Sequence, residues 1–413
     1  MRTLTRRTWT RSATATTVRP PKLFTPAFAA LTLASLAYFT AVGMLIPALP
    51  RYVEGVLGGG NVAVGIVFGS FSVSAVLLRP MAGIFGDQRG RRPLMLCGAA
   101  VAAGSILLYG AAPTWTVLAI IRLVSGAGEA LFFVGMATTF TDLAPPERRG
   151  EAMSLASLAL YLGIGIGPVI AEVTMAVAGF GTVWALSAAI TLLTVGLVLR
   201  VPETRVAPDG TGASGTLARR RWVHPAGLLP GLVLFASIVG MAGFLAFVPL
   251  HVLDIGMGGS GVVLAVFASV VVAIRSIGAR LPDVLGPGRA IRIALILSAT
   301  GLTVIATWQA PSGLVLGAVV LGVGIALLTP SVFAMAVADV PASERSQVMA
   351  TTSAFIDVAF GAGPLVMGVI AAAYGRPTVF IAGAVIACGG WLLMTARHVG
   401  RTPAVAVSPV EAT

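Results

Sequence analysis

Twelve runs of about 20 or more predominantly apolar residues follow one another along this chain. Each can cross about 30 Å of hydrocarbon at 1.5 Å per residue, with every backbone N–H and C=O bonded inside its own helix. The spans fall at approximately 25–48, 61–82, 92–112, 114–140, 150–176, 178–200, 226–251, 259–281, 289–309, 312–338, 346–374 and 376–397. The runs are continuous rather than alternating, which excludes a transmembrane β-barrel. A soluble domain needs about 25% charged residues; here 10% are charged and the mean hydropathy is +0.96. The predicted fold class is an all-α membrane protein of twelve transmembrane helices.

The charges report topology. The connections after spans 1, 3, 5, 7, 9 and 11 hold only Arg51 and Arg376 as basic residues. The other side carries the tail 1–24, Arg89, Arg91, Arg92, Arg148, Arg149, the segment from Arg200 through Arg221, Arg280, Arg289, Arg292, Arg345 and the C-terminal arginines. That is 22 basic residues against 2, with Arg79, Arg122 and Arg275 set aside inside spans. The positive-inside rule puts both termini in the cytoplasm of a cell whose inner (plasma) membrane holds the protein. The net charge of +12 is then topology and contact with anionic membrane lipid, not nucleic-acid binding. Cys97 and Cys388 lie inside apolar runs, have neither metal nor disulfide spacing, and are expected as small buried hydrophobes.

The chain repeats itself. Arg79-x7-Asp87-x2-Gly90 returns as Arg275-x7-Asp283-x2-Gly286, and Gly126-x-Gly128 as Gly322-x-Gly324, each 196 residues on. Gly167-Pro168 returns as Gly363-Pro364 at the same offset, and Asp142-x4-Glu147-Arg148 as Asp339-x4-Glu344-Arg345 at 197. Two six-helix bundles follow, 25–200 and 226–397, joined by a polar Gly-rich cytoplasmic linker at 201–225 and flanked by cytoplasmic tails 1–24 and 398–413. Six spans is an even number, so the copies share one orientation and are related by an axis along the membrane normal.

Between spans 2 and 3, Gly83-x3-Asp87-x2-Gly90-Arg91-Arg92 resembles the signature loop of the major facilitator superfamily, with Phe85 and Gln88 departing from it. Gly83 and Gly86 permit close helix approach and Gly90 a tight turn. Asp87 can accept from helix N-termini or pair with Arg91. The resemblance adds Asp142 to this charge cluster, a latch on the cytoplasmic side. The plainer alternative is that these arginines only enforce topology.

Span 4 carries Arg122-x3-Gly126-x-Gly128-Glu129, which resembles the motif of the drug:proton antiporter branch. Arg122 and Glu129 share a helix face, about 10 Å apart. A charge at that depth costs at least ~2.5 kcal/mol, so each needs the bundle interior or a partner; a structural Arg–Glu pair is the bland alternative. Span 5 carries Gly163-x3-Gly167-Pro168-x2-Ala171-Glu172, similar to the motif of exporters in this superfamily. Glu172 falls near the outer mouth, in a vestibule role or simply exposed at the interface. Asp357, mid-way along span 11, stands opposite Tyr161 in the repeat register. As an unpaired midplane carboxyl it is a proton-carrier or cationic-ligand candidate, with a helix–helix hydrogen bond as the alternative.

No HExxH, P-loop or hydrolase elbow is present, and the Gly-x-Gly pairs lack a preceding strand. No enzyme, no metal and no cofactor is expected beyond the proton as coupling ion. The resemblance implies a monomeric transporter that rocks its halves around a cavity lined by spans 1, 4, 7 and 10. It would exchange protons for small, partly apolar substrates, with Arg122, Glu129, Asp357 and Tyr161 in the cavity. Uptake by symport or uniport, and a non-transporting membrane sensor, are the competing readings.

Overall fold

The computed structural model describes residues 23–205, 223–278, 284–338, 340–341 and 344–399. Most of the tails and the linker, and the landmarks Asp283 and Asp339, lie outside the described residues. Among those described there are helices and no strands. In chain order they are α1 (Pro26–Gly55), α2 (Asn61–Arg89), α3 (Arg91–Leu107), α4 (Trp115–Leu143), α5 (Arg149–Val198) and α6 (Pro225–Asp254). Then follow α7 (Gly261–Ile277), α8 (Pro287–Thr307), α9 (Pro311–Val337), α10 (Arg345–Tyr374) and α11 (Pro377–Val399).

The helix ends follow local chemistry. Proline, whose missing N–H is harmless in a first turn, opens α1, α6, α8 and α9. The Thr25 and Thr114 hydroxyls accept from the N–H groups of Phe28 and Val117. Gly90 (φ 105°) and Gly286 (φ 74°), 196 residues apart, make the sharp corners before α3 and α8.

Among the described residues ten helical segments are long and apolar enough to span a membrane, and the shorter α7 is apolar as well. One of the ten is not a simple crossing. The 50 residues of α5 are interrupted at Gly179, which has φ 73° and ψ −178°. Gly375, 196 residues on, has φ 89° and separates α10 from α11.

The helices form two halves. In the first, α1 packs on α5, α2 on α4, and α3 on α4 and α5. In the second, α10 packs on α6, α9 on α7 and α8, and α11 on α6 and α8. The halves meet chiefly along two seams, α2 against α10 and α5 against α7, which the repeat relates to each other, with a lesser contact of α1 on α6.

Small residues set the close approaches. A Cβ on Gly163 would lie 2.6 Å from the Thr40 backbone nitrogen, and one on Gly167 2.6 Å from that of Met44, so α5 rides directly on α1. At the α2–α10 seam a Cβ on Gly69 would sit 2.5 Å from the Gly361 carbonyl oxygen. Gly83 differs from the expectation of a close-packing role: nothing lies within 4 Å of its Cβ position. Cys97 and Cys388 are exposed rather than buried, because the helix faces that carry them turn away from the bundle.

Candidate functional site

The buried charges gather where α2, α4 and α10 meet. Glu129 is fourteen residues from either end of α4, about 21 Å from each. Arg79, from α2, reaches across the seam and donates through Nη1 to Asp357 Oδ2. Its Nη2 lies 3.6 Å from Glu129 Oε1, and its guanidinium covers the Phe133 ring at 4.8 Å. Glu129 and Asp357 are both buried, and Glu129 Oε2 and Arg79 Nε have no hydrogen-bond partner. One cation thus serves two carboxylates, one from each half.

Two sequence expectations change here. Asp357 is not unpaired, because Arg79 of the other half reaches it. Glu129 pairs with Arg79 and not with Arg122. Arg122 turns toward α2 and the short turn after α3 instead, donating to the Val67 carbonyl (3.3 Å) and the Tyr109 hydroxyl (3.2 Å) and covering the Phe71 ring at 4.4 Å. The Tyr109 hydroxyl continues into Ser125 and Ser105. Tyr161, buried on α5, lies under a different cation: the Arg275 guanidinium sits 4.8 Å from its ring centroid and donates to Ser157 Oγ.

At the α2–α3 corner the structure brings Asp87, Arg91 and Asp142 together. Arg91 Nη1 is 3.1 Å from Asp87 Oδ1, and its Nε 3.3 Å from Asp142 Oδ2. Arg92 donates to the Leu199 carbonyl at 2.7 Å. Among the described residues no partner in this cluster comes from the second half. Sequence reasoning missed Glu203, whose carboxylate accepts from the Arg91 N–H (2.9 Å) and the Arg92 N–H (3.1 Å) and so caps α3. Partial burial pushes the Glu203 carboxyl up, but N–H bonds from Arg91, Arg205, Arg92 and Thr204 outweigh it and hold it below the usual carboxylate range. The legible signal was an acid just after span 6, on the side where α3 begins.

The halves are tied at the opposite end of the bundle. Glu172 is not exposed: its Oε1 accepts from Arg51 (2.9 Å), the Ser260 N–H (2.7 Å) and the Ser260 hydroxyl (3.0 Å). Arg51 also donates to the Pro249 carbonyl. Arg376, between α10 and α11, pairs with Glu54 of the first half and with Asp254 at 2.6 Å, and donates to Asn61 at 3.2 Å. Pro168, one turn before Glu172, leaves a missing backbone bond in α5. Among the described residues no cluster of three His, Cys, Asp or Glu side chains has the make-up of a metal site.

Long apolar helices in two repeated halves, with buried charges at their seam, define a multi-pass membrane protein. The model of the Major Facilitator Superfamily matches residues 31–300 and 261–412. An uncharacterized MFS-type transporter of Salmonella typhimurium is 28% identical over 371 residues, 86% of this chain and 92% of that one. Among solved structures, the human organic anion transporter MFSD10 superposes with a TM-score of 0.68 at 20% identity, covering 91% of this chain and 100% of that one. A bacterial homolog of the human lysosomal transporter Spinster, in an inward-facing and occupied conformation, gives 0.74 at 13% identity, covering 90% and 96%. The chain belongs to the Major Facilitator Superfamily. It is a membrane transporter and not an enzyme.

Proposed function

We propose that this protein exports small, partly apolar compounds in exchange for protons, by alternating access across twelve membrane crossings. The count takes α5 as two helices folded at Gly179, the repeat equivalent of the corner at Gly375, and α7 as a full crossing. With the arginine-rich connections in the cytoplasm of the inner membrane, the end tied by Arg51, Glu172 and Arg376 faces outside. The described arrangement is then the state closed to the outside.

The observation that carries the reading is the bridge from Glu129 through Arg79 to Asp357. Two buried carboxylates share one guanidinium, which leaves room for one exchangeable proton at the junction of the halves. Protonation from outside would neutralise one carboxylate, loosen the bridge and release substrate; deprotonation toward the cytoplasm would restore it. Tyr161 contributes to the wall of the cavity, and Arg122 braces α4 inside the first half. Asp87, Arg91 and Asp142 hold the α2–α3 corner as a rigid body, with Gly83 free to receive the other half when the cytoplasmic side closes.

The test is flux in proteoliposomes holding purified protein and a panel of candidate substrates. Substrate movement opposite to an imposed proton gradient, with counterflow of protons, is expected. Movement in the same direction as protons would replace antiport by symport, and flux indifferent to the gradient would sink the coupling.

A further inference from the structure

We propose that Arg275, with Ser157 and Tyr161 across the α5–α7 seam, is the docking point for an anionic group of the transported compound. The cargo class would then be partly apolar organic carboxylates or sulfonates. This rests on the reading of the protein as a transporter with its cargo between the halves, and adds the sign of the cargo's charge.

Arg79 and Arg275 are equivalent under the 196-residue repeat, and each reaches across a seam into the other half. What they meet differs. Arg79 meets two carboxylates. Arg275 meets none among the described residues; where Asp357 stands in one half, the repeat places Tyr161 in the other. The guanidinium is held by the Tyr161 ring beneath it and by Ser157 at Nη1. Its Nε is buried without a partner, and among the described residues the guanidinium hydrogen bond is the one from Nη1.

Nε and Nη2 form the side edge of the guanidinium, the fork that matches a carboxylate with two parallel hydrogen bonds. Arg122, the other buried cation without a carboxylate, offers no such fork: its Nε and Nη1 are both bonded and its face is covered by Phe71. Arg275 as a whole is only half-buried, while its Nε is covered. A lone cation inside a span is unfavourable, and a buried donor without an acceptor adds to that. A single anionic group relieves both. Ser157 and Tyr161 fix the guanidinium plane beforehand, so little ordering is required when the anion arrives.

The experiment uses the full chain purified in detergent, without any gradient, and three probes that share one ring system: 2-naphthoate, 2-naphthamide and (2-naphthylmethyl)ammonium. Thermal unfolding is followed as each is titrated. Saturable stabilisation by 2-naphthoate alone is expected, weakened about tenfold or more by Arg275→Gln and less by Arg275→Lys, which keeps the charge and loses the fork. Ser157→Ala, which frees the guanidinium, should weaken it severalfold; if Arg275→Gln fails to fold, the Lys and Ala variants decide. Equal stabilisation by the amide, preference for the ammonium probe, no stabilisation by any of the three, or an unchanged 2-naphthoate response in the variants each overturns the proposal. Arg275-dependent binding in a protein that shows no proton-driven flux would uphold this site while removing the antiport reading.

Discussion

Arg79 and Asp357 are 278 positions apart in the chain, yet their side chains meet where α2 of one half crosses α10 of the other. Glu129 completes the cluster from α4. A contact between halves that must separate is where a small change in protonation has leverage. Removing the Asp357 charge alters the attraction across the seam directly, and removing the Glu129 charge alters how Arg79 is shared between the two halves.

Replacing Asp357 by Asn keeps the size and a hydrogen-bond acceptor while removing the charge. Proton-driven efflux should fall by roughly tenfold or more, with insertion and monodispersity unchanged. Glu129→Gln should do the same. The check is an internal pH dye in proteoliposomes alongside substrate flux; wild-type rates in both variants would detach the cluster from coupling.

The outer ties predict a shift in conformation instead of a loss of chemistry. Arg376→Ala removes the pairs to Glu54 and Asp254 and the bond to Asn61. Asp254 belongs to the same half as Arg376, so the loss between the halves is the Glu54 pair, up to about 1 kcal/mol, with the Asn61 bond, and the population closed at this end should drop by roughly fivefold to tenfold. Spin labels at Val56 and Gly258, in a background where Cys97 and Cys388 are serine, should report a longer distance in the variant. An unaltered distance distribution would show that glycine packing, not charge, holds this end.

How much of this was legible beforehand differs between fold and site. The apolar runs and the 196-residue offset carry the helices and the two halves because they depend only on local length and hydropathy. The break of α5 at Gly179 falls at the boundary between the expected spans 150–176 and 178–200. The site is less legible because its pairings are long-range. Arg122 and Glu129 share a helix face, which made them look like partners, but a helix face fixes only direction; Arg79, on a neighbouring helix, is what fills the space beside Glu129. Arg79 itself was in view as a repeat landmark, and nothing local ties it to Asp357. Glu203 lies beyond the apolar pattern, and its role appears only when the chain after α5 folds back on α3.

Glu203 gives a pH prediction with a definite sign. Its carboxyl is held below its ordinary range in the folded protein, so the cap is fully present above the ordinary value of about 4.3. The contribution is lost as pH falls through the lowered folded value. Glu203→Gln should destabilise the detergent-solubilised protein by about 0.5–1.5 kcal/mol at pH 7. The gap between variant and wild type should close as pH drops below 4. Thermal unfolding across pH checks this; a gap that widens in acid would reverse the assignment.

Gly83 and Gly167 stand in two of the glycine motifs and should behave oppositely. A Cβ on Gly167 would press on the α1 backbone, so Gly167→Ala should cost about 1–3 kcal/mol as overpacking and lower the unfolding temperature. A Cβ on Gly83 meets open space, and alanine is the better helix former by about 1 kcal/mol. Gly83→Ala should therefore leave stability unchanged or slightly raised. If the α2–α3 corner receives the other half when the cytoplasmic side closes, the same methyl obstructs that second state, and flux falls while stability does not. Normal flux in Gly83→Ala would mean that this glycine faces open space in both states, and that the corner braces one half without ever latching the two together.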